Sequence, residues 1–243
     1  MQAWGLTDPG CVRVQNQDAY GVHTFEEDSL LCTVCDGMGG AKSGNVASSL
    51  ALQIFMQEVT RLRKPGMSQE QAGQMFQEAV RLANFTVYDQ SRQFEDFEGM
   101  GTTLVAAYVD HQMAVIANVG DSRCYLLNRE GVRCLTTDHS LVQLMVQRGE
   151  LSREQAKNYP GKNLITRAIG TEPGVECDLF YQPVQKGDYL LLCTDGLSNL
   201  LDDQEILFEV VHGVNKQLCC QRLLGICQER GAPDNVTSVL IVI

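Results

Sequence analysis

The sequence predicts an α+β fold, and three features of the 243-residue chain predict it. Short apolar runs of strand length and longer stretches of helical periodicity both occur. Their order is strands, two helices, strands, a mixed region, a strand, two helices and a final strand. That order lacks the regular βαβα alternation of a parallel sheet. Strands near both ends suggest one domain, residues 1–243, closed by its termini.

The elements follow in chain order. Ser29 to Cys35 is an apolar strand that stops at Asp36-Gly37. Ala47, Leu50, Ala51, Ile54, Phe55 and Leu62 share one face of a helix from about Gly44 to Arg63. Ser68 with Gln71 is a capping-box signature, opening a second helix that carries Met75, Phe76, Ala79, Val80, Ala83 and Val87. Thr102 to Val109, Met113 to Val119 and Arg123 to Leu127 are strands joined by short polar turns, an antiparallel meander. Tyr189 to Cys193 is a strand that stops at Thr194-Asp195-Gly196. Asp202 with Glu205 marks a helix start, a last helix runs from about Asn215 to Glu229, and Val236 to Ile243 is the closing strand.

Composition removes several functions. With 30 acidic and 19 basic residues the net charge is −11, unsuited to nonspecific nucleic-acid or anionic-membrane binding. Hydrophobic residues at 44% and charged residues at 20% exclude disorder as the main state. No apolar run approaches the roughly 18 residues of a membrane helix, and the N-terminus has no signal-peptide pattern. A cytoplasmic protein without a membrane anchor or tethered sensor is expected. The ten cysteines then read as reduced and mostly buried. Cys32-x-x-Cys35 lies inside a strand and has no second CxxC, so it reads as core packing, not as a redox or zinc motif.

The aspartates carry the chemistry. Asp36, Asp121, Asp195 and Asp234 each fall at a strand end, the first three beside a glycine. Any single Asp-Gly pair is an ordinary turn signal. Four together, if folding gathers them, repel and are costly to desolvate, a conflict that divalent cations resolve. Oxygen ligands favour hard ions such as Mg²⁺ or Mn²⁺. Arg13, in Arg13-Val14-Gln15-Asn16-Gln17-Asp18, is a fork suited to phosphate oxygens.

Together these residues resemble the metal-dependent protein phosphatases (PPM, the type 2C serine/threonine phosphatases) in their compact bacterial form. The matching segments are RVQNQD from Arg13, DGMGG from Asp36, GMGTT from Gly99, VGDSR from Val119, TDHS from Thr137, TDGL from Thr194 and DNVT from Asp234. Seven segments in the family's order over nearly the whole chain make a specific signal.

The resemblance implies a four-layer αββα fold: a central antiparallel β-sandwich flanked by pairs of helices, with a flap at about 138–170. It implies two Mn²⁺ or Mg²⁺ ions in the core site and a third beside them. Asp36 would bridge two metals and Gly37 would bind through its carbonyl. Asp195 and Asp234 would hold the first metal, and Asp121 with Asp195 the third. Arg13 would bind the substrate phosphate; Asp18, with Gln17, would hold water around the metals. A hydroxide shared by two cations would attack the phosphorus of phosphoserine or phosphothreonine directly. The implied partners are phosphoproteins and a cognate Ser/Thr kinase, and the enzyme would be a monomer.

One position departs from the pattern. Met38 stands where eukaryotic relatives have a candidate acid His, and Ala41 where some bacterial relatives have His. The leaving-group acid is therefore open: His139 is a candidate, a structural His pinning the Asp138 turn is the alternative, and a metal-bound water could also serve. Arg148, Arg153 and Arg167 in the flap are either phosphopeptide contacts or ordinary solvated charges. A two-metal nuclease would use similar carboxylates but wants a basic aromatic groove. A noncatalytic phosphopeptide-binding scaffold would be expected to lack metal ligands, yet every expected Asp is present.

Overall fold

In the computed structural model, which describes residues 1–25, 29–40, 43–157 and 159–243, two antiparallel sheets pack face to face between helices. The first has the order β1-β11-β10-β7-β8: β1 (Gln2–Asp8), β11 (Val236–Val242), β10 (Tyr189–Cys193), β7 (Arg123–Asn128) and β8 (Gly131–Cys134). The second has the order β2-β3-β5-β6-β9: β2 (Asp18–Phe25), β3 (Ser29–Met38), β5 (Leu104–Asp110), β6 (Met113–Val119) and β9 (Asp178–Pro183). A short β4 (Gly101–Thr102) pairs with the end of β3.

Side-chain alternation in the strands builds three cores. Leu30, Cys32 and Val34 of β3 join Ile116, Leu190, Leu192, Val239 and Ile241 between the sheets. Leu31 and Cys35, on the opposite face of β3, pack with Phe55, Phe76 and Val80 from α1 (Gly44–Leu62) and α2 (Gln69–Gln93). Tyr125, Leu191 and Leu240 face Ile206, Val210 and Leu223 from α6 (Asp203–His212) and α7 (Cys219–Glu229). The layer order is αββα. Cys32 and Cys35 therefore belong to different cores, as strand residues three apart must.

The expected capping boxes at Ser68–Gln71 and Asp202–Glu205 are both formed. Two expected boundaries shift. The run from Thr102 splits into β4 and β5 at Thr103, whose backbone N–H donates to the Asp36 carbonyl. The last helix begins at Cys219, preceded by a 3-10 turn over Lys216–Leu218. Among the described residues, no helix is long and apolar enough to cross a membrane.

Between β8 and β9 the chain makes an excursion holding α3 (Leu141–Gln147) and α4 (Arg153–Lys157). Its roots are tied: Thr166 N–H donates to the His139 carbonyl, and Ile169 and Thr102 exchange backbone bonds. Arg167 is committed to an ion pair with Asp178 at 2.7 Å, while Arg148 is exposed. The Ala41 position lies outside the described residues.

All ten cysteines are free, and seven are buried. Burial pushes the thiols of Cys177 and Cys219 up to about 12 and that of Cys227 to about 11. Thiolate is the reactive form. A disulfide-exchange reagent should therefore modify exposed Cys11 first in the native protein, Cys134 more slowly because burial raises its thiol, and all ten only on unfolding. Ready native reaction of Cys32 or Cys193 would contradict this packing.

Candidate active site

The site forms where strands from both sheets end. Asp18 and Asp36 are direct partners across the β2–β3 ladder. Asp195 opens the short α5 (Asp195–Ser198) after β10, Asp234 precedes β11, and Asp121 follows β6. Their fields overlap: the half-buried Asp36 carboxyl is held well above the usual carboxylate range by desolvation and by Asp18, Asp195, Asp121 and Asp234. Folding thus gathers the predicted aspartates into one electrostatic cluster.

Close packing allows the convergence. A Cβ at Gly37 would stand 2.1 Å from the Gly44 carbonyl oxygen and 2.6 Å from that of Gln17. At Gly196 it would stand 1.9 Å from the Asn235 carbonyl oxygen. Only glycine fits where these chain segments cross.

Asp18 is held by a directed chain of donors. Asn16 Nδ2 donates to Thr7 Oγ1 at 2.8 Å, and Thr7 and Thr237 hydroxyls are 2.6 Å apart. Thr237 Oγ1 donates to Asp18 Oδ2 at 2.6 Å, and Thr194 Oγ1 donates to the same oxygen at 2.9 Å. Asp18 Oδ2 is thus saturated, while buried Oδ1 has no hydrogen-bond partner among the described residues. Asp121 Oδ1 is in the same condition. Burial raises the carboxyl of Asp18 from 3.8 to about 7, and that of Asp121 likewise to about 7, with Asp195 adding to the latter. Asp195 is raised by burial and by Asp234, against hydrogen bonds with Asp36 and Asn199.

Orphaned buried carboxylate oxygens in an all-oxygen donor set fit a hard divalent cation. Among the described residues, no three His, Cys, Asp or Glu side chains stand close enough to one point to hold an ion as placed. The cluster is electrostatic, not a closed cage. Its fit to a cation rests on the orphaned oxygens and the donor chemistry.

Arg13 reaches the rim of this cluster. Its Nη2 lies 2.9 Å from Asp234 Oδ2, and just over half of its side chain is open to solvent. Asn235 holds the Arg13 loop: its Nδ2 donates to the carbonyls of Pro9 and Gln15, and its Oδ1 accepts from Gln17 N–H. Gln17 Nε2 donates to the Gly40 carbonyl at 2.7 Å, and the Gln17 carbonyl accepts from Gly37 N–H and Ser48 Oγ. Gln17 is therefore engaged in shaping the Asp36-to-Gly40 turn.

His139 is buried, with both ring nitrogens engaged. Nδ1 accepts from Gly120 N–H at 3.0 Å, and Nε2 lies 3.1 Å from Asp178 Oδ2. Asp138 is bound in two-pronged fashion by Arg123, at 2.9 and 2.6 Å. Sequence reading gave no role to Thr103, Thr194, Thr237 or Asn235, although all four lie within the matched segments. Thr103 Oγ1 accepts from Asp36 N–H at 2.9 Å and so fixes the end of β3. Polar residues inside otherwise apolar strand ends were the available signal.

The raised carboxyls make metal-free stability depend on pH. Asp18 and Asp121 bind protons more tightly folded than unfolded, so the stability they contribute is lost as pH rises from about 4 through about 7. Thermal unfolding in chelator should therefore show Tm falling across that window, with a shallower fall for Asp18→Asn. A Tm that rises over the same window would contradict the burial of these groups.

Comparison with known proteins agrees with this geometry. The protein phosphatase 2C family matches residues 13–223. The chain is 39% identical to the serine/threonine phosphatase stp of Listeria monocytogenes, over 99% of this chain and 95% of that protein. It is 34% identical to protein phosphatase PhpP of Streptococcus pneumoniae, over 97% of this chain and 95% of that one. The structure of serine/threonine phosphatase Stp1 from Staphylococcus aureus superimposes with a TM-score of 0.93 at 35% identity, covering 100% of this chain and 94% of that one. With four layers, seven ordered segments and a match over most of its length, the chain belongs to the protein phosphatase 2C family.

Proposed function

We propose that this phosphoprotein phosphatase hydrolyses phosphoserine and phosphothreonine esters of proteins by direct attack of water, with Mn²⁺ or Mg²⁺ as cofactor. The observation that carries the reading is the convergence of five buried or half-buried aspartates beside a solvent-open arginine. When bound, divalent cations supply positive charge at the phosphoryl oxygens and lower the pKa of water from 15.7 toward ~7.

The chain's own residues do the rest. Asp36, the Gly37 carbonyl, Asp195 and Asp234 are the ligands for two cations, and Asp121 with Asp195 serves a third. Arg13 turns its fork to the phosphate and offsets the charge that develops on it. Asp18, with Oδ2 saturated by two threonine hydroxyls, presents Oδ1 to a proton of nearby water. Gln17 acts on the turn it braces. His139 positions and does not donate, since both ring nitrogens are engaged. Met38 has no proton to give, so the leaving-group proton comes from water in the site. The 138–170 excursion is the flap, beside the β4 strand that pairs with Gly37 and Met38.

The partner on this reading is the Ser/Thr kinase that makes these phosphoesters. The enzyme works as a monomer in the cytoplasm, a compartment in keeping with ten free thiols. Turnover of a phosphothreonine peptide should require Mn²⁺ or Mg²⁺, stop with EDTA, and fall about 100-fold or more in Asp195→Ala. Arg13→Ala should lower kcat/KM by about 100-fold, as loss of a charge-stabilising donor does. A folded wild type inactive with Mn²⁺ on several phosphopeptides would overturn the proposal and favour a binding role.

A further inference from the structure

Gly120 and His139 are joined twice. His139 N–H donates to the Gly120 carbonyl at 2.9 Å, and Gly120 N–H donates to His139 Nδ1 at 3.0 Å. The second bond is buried and makes the ring an acceptor at Nδ1. The ring proton therefore sits on Nε2, 3.1 Å from Asp178 Oδ2. Arg167 Nη1 faces both partners, 2.7 Å from the other oxygen of Asp178 and 3.0 Å from His139 Nε2. Asp178 is in turn the ladder partner of Asn118, whose Nδ2 donates to the carbonyls of Gly120 and Thr137. Arg167, Asp178 and His139 form a closed triangle of polar contacts that continues through Gly120, the residue that precedes Asp121.

We propose that His139 is a positioning residue that aims the Asp121 carboxylate, with Asp178 holding its ring in the tautomer that accepts from Gly120. The inference rests on the reading of Asp121 as a cation ligand. Gly120 adopts a φ of +106°, and the buried Asp121 Oδ1 has no protein partner among the described residues. The aim of that carboxylate is therefore set by the backbone turn, and the turn by His139. Carboxylate–histidine pairs that fix a ring from outside a metal site are worth about 10–100-fold in metal affinity. Here the pair fixes a backbone turn and touches no cation.

The test is Mn²⁺ calorimetry on the metal-stripped full-length chain, with circular dichroism as the folding control. The variants are His139→Ala, His139→Asn, His139→Gln, Asp178→Ala and Asp178→Asn. An Asn side chain places an acceptor where Nδ1 stood, whereas Gln places its polar end at the Nε2 position. The weakest Mn²⁺ event of the wild type should weaken about 10-fold in His139→Ala and His139→Gln and recover to within about 3-fold in His139→Asn. The tighter events should stay unchanged, which general destabilisation would not spare. Asp178→Ala should weaken the same event, and Asp178→Asn, still able to accept from Nε2–H, should restore it. If His139→Ala does not fold, the Asn and Gln pair decides. Equal affinity in Asn and Gln, or an unchanged weakest event in both, overturns the role of His139 alone. A wild type that binds no Mn²⁺ overturns the cation site itself, and this inference with it.

Discussion

Crowded carboxylates are the constraint around which this molecule is organised. Asp18, Asp36, Asp121, Asp195 and Asp234 repel one another and resist desolvation, yet all are brought to one end of a β-sandwich. A carboxylate buried without compensation tends to take up a proton, and burial pushes Asp18 and Asp121 in that direction. Bound cations remove the conflict. The site is thus strained electrostatically by its own sequence, a strain that either protons or bound cations relieve.

The surrounding structure opposes the same repulsion with hydrogen bonds. Thr194 from the start of α5 and Thr237 from β11 both donate to Asp18 on β2, so one carboxylate ties the two sheets together. Asn235 and Gln17 fasten the Arg13 loop and the Asp36-to-Gly40 turn to the same sheet ends. Gly37 and Gly196 let the backbones come close enough for these bonds to form. Disturbing one of these braces would move several carboxylates at once.

The layering explains why the cluster lies at an end and not in a core. Each interior strand is apolar on both faces, because helices cover one face and the opposite sheet covers the other. Charged side chains of the interior strands are therefore kept to the strand ends and the turns that follow them. Arg13, paired with Asp234 at the rim, comes from a loop, where a guanidinium can remain partly solvated.

Sequence alone determined the six interior strands, β3, β5, β6, β7, β10 and β11, together with the two helix pairs. Burial on both faces writes an interior strand as a near-continuous apolar run, as in Leu30 to Cys35, where Thr33 is the one polar residue. It also singled out Asp36, Asp121 and Asp195, which end such runs beside glycine. The edge strands β1, β2, β8 and β9 were not legible, because half-burial leaves a mixed pattern such as Asp-Ala-Tyr-Gly-Val-His-Thr-Phe. Tertiary structure decided that the aspartates meet, and that His139 turns both nitrogens to protein partners. It decided as well that Thr7, Thr194 and Thr237 serve Asp18 from positions 11, 176 and 219 residues away. Local sequence encodes burial and turns; the direction of a hydrogen bond between segments so far apart exists only once the sheets have closed.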